Sequence, residues 1–313
     1  MSSLPDLRDG ALVVDKPAGP TSHDVVAAVR RAVGVPRIGH TGTLDPLATG
    51  VLVLLVGRAT RLAQFLNGSD KEYLADVRLG FETETDDAEA PPEGETPFDP
   101  AIDVTGMPAA LLDEALAGFR GLFWQTPPQF SAKKVGGRRA YAQARLHQHV
   151  ELKPVEVRVH ELERLSYRDG RLRLRIVCSA GFYVRSFARD LGRRLGCGAH
   201  LASLQRTRAG QFALADARPL DEVLAGGPGM LTRLVAMGDL IGDLAPLTLT
   251  EEGIRRVAHG NSVAPEHVAA GATPGLRALR PGSKVRLLDA AGDLLAVADL
   301  TADALLHPAI VLV

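Results

Sequence analysis

Residues 39–57 read GHTGTLDPLATGVLVLLVG: four glycines and one carboxylate, Asp45, ahead of six apolar residues in a row. Six consecutive Val and Leu residues ended by a glycine read as a buried strand. The segment ahead of them reads as a turn, because Asp-Pro starts turns through hydrogen bonds from the Asp side chain to nearby backbone. Glycine also lets another group come close to the main chain. The residues alone leave two readings of Asp45 open. It is a turn former, or it is a carboxylate nucleophile or base held where a substrate can reach it. Glycoside hydrolysis would need a second, facing carboxylate. The nearby sequence marks none, so chemistry by a lone acid is favoured.

A nucleotide phosphate loop is excluded just upstream. Residues 34–41, GVPRIGHT, come close to G-x-x-x-x-G-K-[ST], but His40 stands where the phosphate-reaching lysine belongs. Such a loop also runs directly into a helix whose N-terminus holds the anion. This one runs through Asp45-Pro46 into a strand.

On the N-terminal side, residues 11–14 predict a short strand, followed by a Lys16-Pro17 turn. A helix follows, with Thr21 or Ser22 as N-cap, Val25, Val26 and Val29 on one face, and Gly34 at its end. On the C-terminal side, residues 58–68 read as a short helix capped by Gly68. Residues 71–80, KEYLADVRLG, alternate as a strand does. Residues 82–103 hold nine acids, four prolines and no basic residue, which predicts a surface loop or insertion of no assigned role. A helix is expected over residues 108–121, with Leu111, Leu112, Ala115, Leu116 and Phe119 on its apolar face. The stretch after it carries Pro127-Pro128 and Gly136-Gly137, then turns helical. Its Lys133, Lys134, Arg138, Arg139 and Arg145 alternate with Phe130 and Tyr141. Asp169-Gly170 joins two strands as a hairpin, and residues 183–196 form a helix.

From about residue 245 the texture returns to short alternating strands, which predicts a small all-β module. The class expected is α+β, with a mixed, largely antiparallel sheet. The domains expected are 1–244, with a basic segment at about 125–150, and 245–313.

The chain has 313 residues, 46% hydrophobic and 23% charged, an ordinary globular composition. No apolar run approaches the length of a membrane span, and the N-terminus lacks a basic-then-apolar secretory pattern. Cys178 and Cys197 have no metal-ligand spacing and read as reduced thiols of a cytoplasmic protein. The net charge of −1 hides an asymmetry: residues 120–210 carry 19 Lys/Arg against 6 Asp/Glu, and the rest carries 17 against 31. Such a distribution points to a face for a polyanion.

GHTGTLDPLATGVL resembles the catalytic motif of the tRNA pseudouridine synthase B family, and four more segments resemble that family in order. They are VVDKPAGPTSHDVV, KEYLADVRLGFETETDD, QTPPQFSAKKVGGRRAYAQAR and CSAGFYVRSFARDLGRRLGCGAHLASLQRTRAG. Together the matches run from about residue 9 to 212. Phe182 stands where the family pattern has Thr, Lys134 departs from its Ala-Leu-Lys, and Gln205 replaces a common Arg.

The resemblance implies an enzyme that isomerises uridine 55 in the tRNA T loop to pseudouridine. The change is redox-neutral, so no cofactor is expected, and no metal. By the same resemblance Asp45 is the catalytic aspartate, and Arg185 pairs with it and keeps it oriented and ionised. Tyr73 lies against the flipped uracil and is the candidate proton relay. Tyr183 and Leu204 contact the base, and His40 helps hold the RNA flipped out. Lys16 and Pro17 form a structural turn beside the site.

Uridine 55 is stacked and paired in the tRNA elbow, so it must be extruded. Lys133, Lys134, Arg138, Arg139 and Arg145, with Phe130 and Tyr141, are suited to gripping backbone and stacking on unpaired bases. The tRNA T stem-loop is the partner expected, with no protein partner, no membrane, and a monomeric state. The C-terminal module stands where bacterial members carry a barrel-like PUA or PUA-like RNA-binding domain. Its removal is expected to weaken binding of full-length tRNA and spare turnover of an isolated T stem-loop. Two competing readings are a non-catalytic RNA binder and a related synthase acting on another RNA, the guide-dependent type included. Asp45, Tyr73 and Arg185 together argue against the first, and the basic segment argues for the stand-alone tRNA enzyme.

Overall fold

The structure, a computed structural model, describes residues 9–89, 94–130 and 152–313, together with the short paired strands Lys134–Val135 and Arg138–Arg139. One sheet of ten strands organises the larger part. Its strands are β1 (Gly10–Lys16), β2 (Ile38–Thr41), β3 (Thr49–Val56), β4 (Lys71–Leu79) and β5 (Gly121–Gln125). The others are β6 (Val155–Arg168), β7 (Arg171–Cys178), β8 (Ala199–Ala209), β9 (Phe212–Ala213) and β10 (Arg218–Pro219). The main path is β10-β1-β3-β8-β4-β7-β6-β5, with β2 on β3 and β9 on β8. Pairing is antiparallel except between β1 and β10 and at the short β3–β8 contact. Helices α1 (Ser22–Val33), α2 (Ala109–Ala117), α3 (Val184–Leu195) and α4 (Leu220–Gly226) pack on one face. The class is α+β with a mixed sheet.

The burial of β3 accounts for its sequence. Leu52, Leu54 and Val56 pack under the helices, while Val51, Val53 and Leu55 face the other way, into a cluster with Leu294, Val297, Ile310 and Leu312. Each such side chain removed from water contributes roughly 1.5–3 kcal/mol. A strand covered on both faces therefore reads as a continuous apolar run rather than an alternation. By contrast β7 alternates, with Leu172, Leu174 and Ile176 buried and Arg171 and Arg173 exposed. Where β3 meets β8, Gly50 is required. Its φ is 97°, and a Cβ there would sit 2.2 Å from the carbonyl oxygen of Arg206.

Helix α1 begins at a capping box, Thr21 with Asp24, and ends at Gly34 in the left-handed conformation. Its Val25, Val26, Val29 and Val33 are buried. Five strands of this sheet were not expected from the sequence: the short β2, β9 and β10, the edge strand β5, and β8, which lies mid-sheet. The helical stretch expected beyond residue 139 lies outside the described residues.

The C-terminal module corrects the all-β expectation. Its strands β11 (Ala245–Thr248), β12 (Lys284–Leu288), β13 (Leu294–Leu300) and β14 (Leu306–Val311) form a four-stranded sheet in that order. Two short helices, α5 (Glu251–Ala258) and α6 (Thr273–Ala278), accompany it. Helix α5 has its own start and stop signals: Thr250 as N-cap, two acids in the first turn, and two arginines in the last. The module is docked, not tethered. Beyond the shared apolar cluster, Arg286 donates to the carbonyls of Leu244 and Gly238 at 2.8 Å each. Removal of residues 245–313 would take Leu294, Val297, Ile310 and Leu312 from the back of β3 and leave that face partly uncovered. Among the described residues no helix is long and apolar enough to cross a membrane.

Candidate active site

A cleft of about 230 Å³ opens between the Asp45 turn, the start of β4, the middle of β8, and the loop that enters α3. Gly42, Asp45, Lys71, Tyr73, residues 179–185, Leu204 and Arg206 are among its walls. It is smaller than the roughly 300–1,000 Å³ of ordinary small-molecule sites.

The turn is held largely through its carbonyls. Arg206, 1% exposed, donates to the carbonyls of Val51 (2.7 Å), Gly42 (3.0 Å) and Thr43 (3.4 Å). The buried Ser22 hydroxyl accepts from Leu44 N–H and donates to Leu44 C=O, at 2.8 and 2.9 Å. Lys16, fully buried, donates to the carbonyls of Pro17, Pro46 and Ala48. Gly19 N–H also donates to Pro46 C=O, at 2.9 Å. Leu47 N–H donates to Glu89 at 2.7 Å. Burying a charge is costly unless its donors are all used, and here the carbonyls of the turn use them. Burial pushes the Lys16 ammonium down to about 8, against the raising influence of Asp45.

Arg185 comes to Asp45 from α3. Its Nε lies 2.9 Å from Asp45 Oδ2 and 3.4 Å from Asp87 Oδ2. Its two Nη atoms donate to Thr85 C=O (3.2 Å) and Phe130 C=O (2.8 Å). The Arg185 side chain is 6% exposed and that of Asp45 34%, so the carboxylate is the part of the pair that faces the cleft. Tyr183 precedes α3 and is fixed by Gln125, whose amide accepts its N–H and donates to its C=O.

The acidic stretch now has a place. Arg185, Arg189 and Arg193 recur at four-residue spacing on α3, a single face of a helix. Asp87, Asp86 and Glu82 meet them in reverse order, at 3.4, 2.8 and 3.9 Å. The segment is also strand-like, with Ala88 N–H donating to Leu201 C=O and Leu201 N–H to Asp86 C=O. Asp86 has φ 62°, in the left-handed region that Asp tolerates better than most residues. Burial pushes the carboxyls of Asp86 and Asp87 above the ordinary carboxylate value, and their arginines pull them back only in part.

Tyr73 is buried on β4, and burial pushes its phenol up, with Arg206 opposing as neighbour and hydrogen-bond partner. Leu204, on β8, is 7% exposed at the cleft. Lys71 donates to the carbonyls of Asn67 and Ser69, and burial lowers its ammonium. His40 is half-buried on β2, edge-on to His23 at 5.4 Å, and the cleft wall is built without it. Lys133 and Arg145 lie outside the described residues. Lys134, Arg138 and Arg139 are placed only as backbone of two paired strands. Among the described residues no group of three or more His, Cys, Asp or Glu is arranged to hold a metal.

Arg206 and the acids at 86, 87 and 89 were not singled out from the sequence, and Ser22 was named there only as an alternative N-cap to Thr21. Arg206 stands inside a segment quoted for its resemblance. The arginine spacing on α3 was the readable signal for the acids.

A model of the TruB family pseudouridylate synthases, N-terminal domain, matches residues 30–184, and one of the tRNA pseudouridylate synthase B C-terminal domain matches residues 185–226. A tRNA pseudouridine synthase B of Solibacter usitatus is 42% identical over 307 residues, covering 97% of this chain and 100% of the relative. The chain belongs to the TruB family. Another TruB relative, the tRNA pseudouridine synthase B of Thermobifida fusca, is 45% identical over 273 residues, 83% of this chain and 88% of its own. Among solved structures, a chain of a Cbf5–Nop10–Gar1 complex superposes with TM-score 0.71 at 22% identity, covering 100% of this chain and 91% of that one. A chain of an H/ACA RNP bound to a substrate RNA containing 2'-deoxyuridine gives 0.69, also at 22% identity, covering 100% and 92%. At that identity the likeness establishes the fold alone. The second TruB model falls on α3, β8 and α4, inside the large sheet, and ends before the module at 245–313.

Proposed function

We propose that the chain converts uridine 55 in the T loop of tRNA to pseudouridine, with Asp45 acting at ribose C1′. The observation that carries this reading is a carboxylate one-third exposed in a base-sized cleft, 2.9 Å from a buried arginine. In the reaction the N1–C1′ bond breaks, the uracil turns, C5 bonds to C1′, and a proton leaves C5 while N1 gains one. No electrons are gained or lost overall. A fixed carboxylate meets positive character at C1′ without reorganising, and a small, walled cleft keeps water from capturing the sugar. Burial keeps the Tyr73 phenol protonated at neutral pH, so it serves as a hydrogen-bonding relay rather than a phenolate base. Leu204 and Tyr183 bound the space for the base.

The target must be flipped out of its stack to reach the cleft. In this reading Lys133, Lys134, Arg138, Arg139 and Arg145 grip the RNA and His40 supports its flipped form. The module at 245–313 serves as a PUA-like RNA-binding unit of a cytoplasmic monomer. The choice of tRNA over a guide-directed target is supported by identities of 42–45% to named tRNA enzymes.

The test is a T stem-loop transcript assayed by a chemical probe for pseudouridine and by filter binding. Asp45→Asn should abolish product while holding affinity within about tenfold, about 1.4 kcal/mol. Product at more than a few per cent of the wild-type amount would remove Asp45 from the reaction.

A further inference from the structure

We propose that Arg189 is a positioning residue for the reaction: by holding Asp86, it reserves Arg185 for Asp45. The proposal rests on the reading of Asp45 given under Proposed function.

Every nitrogen of Arg185 already has a partner. Asp45 and Asp87 share its Nε, and the carbonyls of Thr85 and Phe130 occupy its Nη atoms. A third carboxylate, Asp86, is the chain neighbour of Asp87, and its side chain is 14% exposed. A carboxylate so shielded from water seeks the nearest cation. One helical turn beyond Arg185, Arg189 Nη1 meets it at 2.8 Å. The Nε of Arg189 is held by Asp190 at 2.9 Å, and its Nη2 donates to Thr126 C=O at 3.4 Å. Both α3 arginines thus also reach carbonyls at the root of the basic segment, Thr126 and Phe130. Without Arg189, Asp86 stays buried, and of the two cations left near it, Arg193 and Arg185, the one shielded from water is Arg185. That guanidinium would then divide itself among three carboxylates, and Asp45 would lose its fixed orientation. No contact of Arg189 with the cleft is involved, and it does not line it.

The experiment is a double-mutant cycle of Arg189→Met, Asp86→Asn and the double variant. It is read as kcat and KM on whichever uridine-containing RNA the wild type turns over, the T stem-loop first. Failure of the wild type on that stem-loop would count against the target named above and leave this cycle readable on another RNA. In the wild-type background Arg189→Met should lower kcat by about tenfold or more, with KM changed less than about threefold. In the Asp86→Asn background the same substitution should cost less than about threefold in kcat. Arg189→Lys, which keeps a cation near Asp86, should recover most of the lost kcat. Melting curves identify folded variants; if Arg189→Met does not fold, Arg189→Gln takes its place in the cycle. An equal loss in both backgrounds, or a rise in KM matching the fall in kcat, would reduce Arg189 to packing or RNA contact and overturn the proposal.

Discussion

The turn that carries Asp45 and the acidic segment at residues 82–89 meet at the same guanidinium, yet different forces hold them. The turn is tied through its own main chain, with Arg206, Ser22 and Lys16 donating to its carbonyls. The segment is tied largely through its side chains, carboxylate by carboxylate, to Arg185, Arg189 and Arg193. Main-chain carbonyls do not titrate, and carboxylates do. The turn is therefore a fixed seat, and the segment is a charge-set brace whose grip weakens along α3 as exposure grows.

The strongest way to break this contrast is Arg206→Met. It strips a donor from three carbonyls at once. A buried polar group left without its partner costs about 1–3 kcal/mol, so a loss of about 3–5 kcal/mol in unfolding free energy is expected, with turnover gone. Chemical denaturation and the pseudouridine assay measure the two effects. A loss under about 1 kcal/mol would mean the turn does not depend on its carbonyl donors. Ser22→Ala is the smaller version of the same test. It leaves Leu44 N–H and C=O without the hydroxyl, at an expected cost of about 2 kcal/mol, and turnover should fall further than stability at assay temperature explains.

The two regions should also separate along the pH axis. Lys16 in the folded protein titrates at about 8 rather than the ordinary 10.5. Between those values the unfolded chain holds more protons, so the stability contributed at Lys16 rises with pH across that window. Asp86 and Asp87 lie above the ordinary 3.8. There the folded chain holds more protons, so their contribution falls as pH rises through the window above 3.8. Two measurements follow. The stability gap between wild type and Lys16→Met should widen above about pH 8. Amide-exchange protection at Ala88 and Leu201, corrected for intrinsic rate, should grow as pH falls from 7 toward about 4. A reversed sign in either window contradicts the assignment of forces.

The smallest effect is expected from Arg193→Gln. Its pair with Glu82 spans 3.9 Å with side chains 61% and 35% exposed, and such surface pairs contribute less than about 1 kcal/mol. A cost as large as that of Arg189→Met would show that the grip does not weaken along the helix.

Local pattern explains what the sequence disclosed. The apolar run of β3, the Thr21 cap and the Asp169-Gly170 hairpin depend on neighbours a few residues away, and their signals are complete in short windows. The ordered segments that resemble the TruB family brought Asp45, Tyr73, Tyr183, Arg185 and Leu204 to notice. The structure gathers these five at one cleft and leaves His40 outside its wall. The acidic stretch was opaque because its partners lie about a hundred residues away on α3. Composition rightly marked it as polar but could not say what the acids face. Arg206 was opaque for a related reason: its partners are carbonyls, which every residue has. In the module, strand alternation dominated the pattern and α5 was passed over, although Thr250 and the acid-to-base order of its turns announced it.

The double cover of β3 also sets an order in time. Residues 51–56 leave the ribosome well before residues 294–312, which close over their back face. At about 5–20 residues per second, that gap lasts roughly 10–50 s. Through that interval Val13, Val51, Val53 and Leu55 lack part of their apolar cover, on a sheet whose other face can already assemble. The newborn chain is thus adhesive at its centre until its distal strands arrive, and mutations in β13 or β14 should show first as lost yield during synthesis rather than as altered chemistry in the protein that survives.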